Sequence, residues 1–331
     1  METVKYGIVG VTGYGSNHAD AVEAVDGAEV VAGTARSEES IAPFEADYDA
    51  AEYTDYEELF AEEELDAVSV CTPSGTHAEI AVAAAEAGIH VLSEKPLDVY
   101  IERVDRMIDA ADRNDVRLGG IFQRRFTPER WTARQWVEEG RFGDLLLADT
   151  AVKWYRPQSY YEDHWHGRRD LDGGALIQQA IHFVDLLQWL TGGIERVTAE
   201  TETMAHEMEC EDVAVVSLRF ENGARGTIEA TTGVRGGRER VELNGTEGSY
   251  NSGTFVLGDE EVDPELADPP CGTGLEGQVR DFVGAVREDR DPIVTGREAR
   301  EAVEVVLAAY ASADLDRPVR VDEVRDLQDH T

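Results

Sequence analysis

The sequence predicts an α/β fold in two parts. Residues 1–120 should form a doubly wound parallel sheet, and residues 121–331 an α+β domain with a large, mostly antiparallel, open-faced sheet. Three observations predict it. Short apolar runs alternate with helical stretches through the first 120 residues, the β-α-β order of a parallel sheet covered on both faces. After Gly120 the period changes to longer alternating segments, as in a sheet with one buried face. A length of 331 residues is long for one domain and comfortable for two.

In order, residues 4–9 form a short apolar strand, followed by glycines and a helical stretch over 18–25. Strands are expected at 28–33 and 67–71. The Ala-rich run 77–87 reads as a helix ended by Gly88 in the C-cap position. A strand at 89–92 and a helix at 101–113 complete the first part. The second begins with a helix at 130–139 that ends near Gly140. Strands are expected at 145–153, 197–203, 213–220, 224–231 and 238–244, interrupted by one helix over 175–190. Residues 275–287 and 297–311 are late amphipathic helices. The C-terminal helix is a candidate to pack back on the first domain. No internal repeat or low-complexity linker separates the two parts.

There are 69 acidic and 30 basic residues, a net charge of −39, and Lys5, Lys95 and Lys153 are the only lysines. The acids are spread through helical segments, as in Glu57, Glu58, Glu62, Glu63 and Glu64, whereas a disordered tail would hold them in one block. Such a surface suits molar salt, where screening weakens self-repulsion, and resembles that of proteins from halophilic archaea. It should repel nucleic acid and anionic membrane, so neither is expected as a partner. No apolar run approaches the roughly 20 residues that cross a bilayer. Met1 leads into the first strand without the basic, apolar and cleavage regions of a signal peptide, so a cytoplasmic location is expected. Cys71, Cys210 and Cys271 are odd in number and far apart, which argues against a disulfide framework or a zinc ribbon.

Gly10, Thr12, Gly13, Tyr14 and Gly15 join the first strand to the first helix. Glycines there allow backbone N–H groups to approach a pyrophosphate at a helix N-terminus. The fit to G-x-G-x-x-G is imperfect: Thr12 takes the middle place and Gly13 can supply the tight turn instead. A plain βα turn would carry the same glycines. At the end of the second strand, where an NAD site usually holds a carboxylate for the ribose, the run is Gly33-Thr34-Ala35-Arg36-Ser37. Arg36 and Ser37 can neutralise and donate to a 2′-phosphate, so NADP is the preferred cofactor, with NAD as the alternative; a surface role for Arg36 stays open. Ser93-Glu94-Lys95-Pro96 follows a strand at the ligand-collecting edge of the sheet, and it holds one of three lysines in the chain.

Together with Thr72-Pro73-Ser74-Gly75-Thr76-His77, these segments resemble the glucose–fructose oxidoreductase / inositol dehydrogenase / rhizopine-catabolism (Gfo/Idh/MocA) family. The resemblance continues through Gly119-Gly120-Ile121-Phe122-Gln123-Arg124-Arg125-Phe126, the stretch from Gly173 to His182, and Pro292-Ile293-Val294-Thr295-Gly296-Arg297. It implies a Rossmann-type nucleotide domain, a C-terminal sheet that forms a homodimer or homotetramer interface, and nicotinamide-dependent chemistry at a carbon bearing oxygen in sugars, polyols and their derivatives. Thr72, Pro73, His77, Glu94, Lys95 and Gln123 are then expected at the cofactor, beside the glycine loop, Arg36 and Ser37. Lys95 matches the family's lysine and His182 the histidine of its Asp-x-x-x-His signature. Gln178 stands where that signature has Asp, and Ser74 where Asn is usual.

Oxidation of a secondary alcohol needs an acceptor for the hydroxyl proton, and a histidine or a partly desolvated lysine can serve. His182 is assigned as general base, with Lys95 holding the hydroxyl; the reverse stays open. Gln178 precedes His182 by four residues, so on one helix the two share a face. Arg124, Lys153 and Trp165 join Gln178 and His182 as expected substrate contacts. Lys153-Trp154-Tyr155-Arg156 and Asp163-His164-Trp165-His166 can offer ring faces to sugar C–H surfaces and cations to hydroxyls or an anionic substituent. His164 and His166 lack further ligands at readable spacing, so no metal is expected. The rival readings are a nucleotide-sugar 3-dehydrogenase, which the Gln178-Gln179-Ala180-Ile181-His182 run resembles, and a catalytically silent NAD(P)-binding sensor. Retention of Lys95 and His182 argues against the sensor.

Overall fold

The computed structural model describes residues 3–328. Its chain divides into two compact units: the chain up to Phe126 together with Pro269–Arg300, and Thr127–Asp268 together with the chain from Glu301. This differs from a single boundary at residue 120, because the first unit runs on to Phe126 and a late segment returns to it.

The first unit contains β1 (Val4–Val9), α1 (Tyr14–Glu23), β2 (Ala28–Thr34), α2 (Glu38–Tyr48), β3 (Ala51–Tyr53), α3 (Tyr56–Glu62), β4 (Ala67–Val70), α4 (His77–Glu86), β5 (His90–Ser93), α5 (Ile101–Asn114) and β6 (Leu118–Gly120). The strands pair in the order β3-β2-β1-β4-β5-β6, every pair parallel. The strand order reverses between β1 and β4, the switch point where ligands bind in such sheets. Tyr6, Ile8 and Leu92 are buried in one core with Ala19 and Val22 of α1. Val279, Phe282 and Val283 of the returning segment join that core, and this burial draws the segment back. α5 shows the helical period plainly, with Ile101, Val104, Met107, Ile108 and Ala111 buried on one stripe.

In the second unit are α6 (Pro128–Glu138), β7 (Leu145–Lys153), a π-turn over Ala175–Ala180 leading into α7 (Ile181–Thr191), β8 (Ile194–Glu202), β9 (Val213–Phe220), β10 (Arg225–Thr231), β11 (Glu239–Gly245), β12 (Gly248–Asn251), β13 (Thr254–Leu257) and β14 (Glu260–Val262). The helix α8 (Gly274–Glu288) belongs to the first unit. α9 (Gly296–Leu315) begins there and continues in the second, followed by β15 (Val319–Arg320) and α10 (Val324–Gln328). The returning helix is therefore α8; the terminal helix stays with the second unit.

The second sheet runs β14-β13-β12-β11-β7-β10-β9-β8-β15, with β7 and β10 parallel and the other pairs antiparallel. β9 displays its one-sided character: Ala214, Val216, Leu218 and Phe220 are buried while Val215 and Ser217 are exposed. The outer face carries the Arg240–Glu242 pair at 3.4 Å and exposed Leu147 and Val215.

Candidate active site

In the first unit, the turn after β1 is built for close approach. Gly10 has φ +90°, and a Cβ there would lie 3.0 Å from the Cys71 carbonyl; one on Gly15 would lie 2.0 Å from Gly10 O. Larger residues would push the turn away from β4 and open the strand–helix junction. Gly13 stands at the N-cap of α1 with φ +67°, and that end of the helix has neither a side-chain cap nor an acidic residue in its first turn. Thr12, Gly13 and Tyr14 are exposed around it. Uncapped N–H groups and the positive end of a helix dipole suit a pyrophosphate. Arg36 and Ser37 are exposed after β2, and the Ser37 and Ser40 hydroxyls share a hydrogen bond of 2.8 Å at the start of α2.

Further along the carboxyl edge, the Thr76 hydroxyl lies 2.8 Å from Thr72 Oγ1 and donates to Pro73 O at 2.7 Å. Gln123 Oε1, just past β6, is buried and accepts no hydrogen bond from the protein. A buried acceptor left unmet is costly and suits a ligand's hydroxyl or amide donor. These features fit a nicotinamide dinucleotide. Two residues expected at the cofactor are instead turned inward. His77 is buried between Thr72 O and Pro96 O, at 2.8 and 2.9 Å, so both ring nitrogens are engaged by backbone carbonyls. Glu94 accepts from the wholly buried His18 Nε2 at 3.0 Å and from the Lys95 backbone N–H at 3.0 Å. Both residues brace the loops that present Thr72 and Lys95. His18 also shares a 2.9 Å hydrogen bond with Ser69 Oγ. Burial disfavours a charged ring there, but Cys71 and Glu94 more than offset it, and the His18 pKa rises to about 10.

Of the arginines after β6, Arg125 is buried and pairs with Glu298 at 3.3 Å, while Arg124 is partly exposed.

The second unit holds the other expected residues. His182 is buried in the first turn of α7. The expected single helix over 175–190 is a π-turn over Ala175–Ala180 followed by the α-helix from Ile181. Glu211 caps the start of the π-turn: its backbone carbonyl accepts the Ala175 N–H at 2.9 Å, and its Oε1 accepts Leu176 N–H at 2.8 Å and Tyr310 OH at 3.0 Å. Burial pushes the Glu211 carboxyl up to about 7. Gln178 donates its amide to buried Asp172, which also accepts the Gly167 N–H at 2.8 Å. The carboxylate absent from position 178 thus stands one amide away.

The neighbouring residue Gln179 accepts from Arg156 Nη2 at 3.0 Å, and its own amide reaches Tyr160 OH at 3.4 Å. Lys153 goes elsewhere. Side chains alternate along a strand, and with Val152 and Ala230 buried, Lys153 points to the outer face and pairs with Glu229. Trp165 packs on His166, ring centroids 3.6 Å apart, and His166 packs on Tyr160 at 3.9 Å. Among the described residues no group of three or more His, Cys, Asp or Glu could hold a metal ion, and no helix is long and apolar enough to cross a membrane. Sequence reasoning missed His18, Asp172, Gln179 and Glu211. A polar residue amid Ala19, Ala21 and Val22 was the one available signal for His18.

Residues 4–121 match the oxidoreductase family with an NAD-binding Rossmann fold, and residues 131–251 match the GFO/IDH/MocA C-terminal domain. The chain is 28% identical to myo-inositol 2-dehydrogenase of Thermotoga maritima, over 97% of this chain and 99% of that one. It is 27% identical to scyllo-inositol 2-dehydrogenase (NAD(+)) of Bacillus subtilis, over 81% of each. Among solved structures it resembles the WlbA dehydrogenase of Bordetella pertussis in complex with NADH and UDP-GlcNAcA, with TM-score 0.87 and 32% identity, over 96% of this chain and 99% of that one. The chain belongs to the Gfo/Idh/MocA family of NAD(P)-dependent oxidoreductases.

Proposed function

We propose that this protein is an NADP-dependent dehydrogenase acting on a hydroxyl-bearing carbon of a sugar, polyol or sugar derivative. The observation that carries the reading is Lys95, one of three lysines in the chain, presented at the ligand edge of the parallel sheet by a carboxylate that grips its backbone. The bound nicotinamide supplies the hydride acceptor. Lys95 holds the substrate oxygen and stabilises it as the carbonyl forms, while His182 takes the hydroxyl proton. The absence of a carboxylate at the end of β2, with exposed Arg36 and Ser37 following, supports NADP over NAD.

A second reading, a nucleotide-sugar dehydrogenase, is favoured by the 32% identity to a dehydrogenase that binds UDP-GlcNAcA. The net charge of −39 supports work in a cytoplasm of high ionic strength, as in salt-adapted organisms. The outer face of the second sheet, with exposed Leu147 and Val215 beside ion pairs, supports a homodimer or homotetramer formed there.

The test follows reduced-nicotinamide absorbance in molar KCl with NADP+ and NAD+ in parallel, against aldoses, polyols, uronic acids and nucleotide sugars. Robust NADP+ reduction with one class is expected. Nucleotide binding without turnover of any class would turn the reading toward a sensor.

A further inference from the structure

One guanidinium in this acidic protein is held beside the π-turn without a carboxylate. The chain has 69 acidic residues for 30 basic ones, and arginines in both units meet them: Arg300 with Asp105 at 2.6 Å, Arg134 with Glu138 at 2.7 Å. Arg156 has no carboxylate within 4.0 Å among the described residues. Its Nη2 donates to Gln179 Oε1 at 3.0 Å, and its Nε is buried and donates to nothing. The Trp154 and Tyr160 rings flank it, with centroids 5.5 and 5.3 Å away.

The backbone of Arg156 is anchored at both its N–H and its carbonyl. The Arg156 backbone N–H donates to Thr232 O at 2.8 Å, and its carbonyl accepts from His206 Nε2 at 2.9 Å. His206 is in turn held by Asp212 at 2.8 Å. Gln179 stands three residues before His182, so the π-turn links the guanidinium to the helix of the proposed base. A half-buried cation whose Nε–H is buried and unmet is unfavourable on its own. Five N–H groups in a planar fork match the two oxygens of a carboxylate. Lys153, the nearest basic residue along β7, points to the other face and pairs with Glu229, so along this strand Arg156 alone offers its positive charge on the Gln179 side. That balances a monoanionic carboxylate better than a phosphate dianion, and the flanking rings suit the C–H faces of a sugar.

We infer that Arg156 and Gln179 form a carboxylate subsite, and that the substrate is an acidic sugar of the uronate class. The inference rests on the dehydrogenase reading for its chemistry but not for its binding. A free uronate and a nucleotide-linked one would bring the same carboxylate.

The experiment uses the full chain at one fixed KCl concentration, comparing wild type with Arg156→Gln, Arg156→Lys and Gln179→Glu, each first checked for folding by its thermal transition. Calorimetry measures binding of glucuronate, UDP-glucuronate and glucose, and nicotinamide reduction measures turnover of the same three. Wild type should prefer a uronate over glucose by about 100-fold in Kd, and the two uronate arms tell the sources apart. Arg156→Gln should remove most of that preference. Arg156→Lys should lower it about tenfold by losing the fork. Gln179→Glu, which places a carboxylate of the protein against the guanidinium, should lower it comparably even if Arg156→Gln does not fold. Arg156-dependent uronate binding without turnover would leave the subsite standing and overturn the dehydrogenase reading. Sugar oxidation with an unchanged uronate-to-glucose ratio in the variants, or no uronate binding by wild type, would overturn the subsite.

Discussion

His18 Nε2 donates to Glu94 Oε1 at 3.0 Å, and the other oxygen of that carboxylate accepts the Lys95 backbone N–H at 3.0 Å. The helix whose N-terminus faces the dinucleotide loop is thereby tied to the loop that presents the proposed catalytic lysine. His18→Gln should lower kcat at least tenfold while changing nucleotide Kd less than threefold, because the ion-paired anchor is lost but the glycine turn is not. The raised His18 pKa carries a sign. Its stabilising contribution is full below pH about 6.5 and lost as pH rises through about 10. Denaturant melts across that window should show a flatter pH dependence in the variant. An unchanged kcat and an unchanged slope would remove His18 from this role.

Lys95→Met and His182→Ala should each reduce kcat by roughly 1,000-fold or more, with nucleotide affinity nearly unchanged. Stopped-flow turnover beside fluorescence titration of NADPH separates the two quantities. Wild-type turnover in either variant would take that residue out of the mechanism.

Arg36→Ala should weaken NADPH binding about tenfold or more, and NADH binding less than twofold. A charge-assisted contact to the 2′-phosphate contributes roughly 1.5–3 kcal/mol, and NADH lacks that group. Equal affinities for the two nucleotides in wild type would defeat the NADP preference.

Glu211→Gln tests the buried carboxyl that starts the π-turn. Its pKa is raised by burial to about 7, so the stability it lends is present below pH about 4.5 and lost as pH rises through about 7. A glutamine oxygen can still accept from Leu176 N–H and Tyr310 OH and cannot ionise. The variant should therefore gain about 1–3 kcal/mol on wild type between pH 5 and pH 8. Parallel pH profiles of the unfolding midpoint would contradict this.

Salt should stabilise the protein. At a net charge of −39 the folded chain repels itself, and the screening length falls from about 10 Å at 0.1 M to about 3 Å at 1 M. Scanning calorimetry should find Tm rising by about 10 °C or more between 0.1 and 2 M KCl. A flat or falling Tm would argue against salt adaptation.

Local chemistry made much of this protein legible in its sequence. The apolar period of β1, the glycines after it, the Gly88 stop and the alternation along β9 depend on near neighbours, so the parallel sheet, the second, mostly antiparallel sheet and the nucleotide turn can be read in order. Lys95 stood out because lysine is scarce. Long-range burial decided the rest. The return of Val279, Phe282 and Val283 to the first core, the Glu211 side chain that caps the start of the π-turn, and the inward rotation of His77 and Glu94 each depend on a partner far away in sequence. Lys153 and Arg156 lie three residues apart in one motif. The tertiary structure gives the first a carboxylate on the outer face and the second an amide beside the helix of His182, since strand pairing and packing, not residue type, set which way each side chain points.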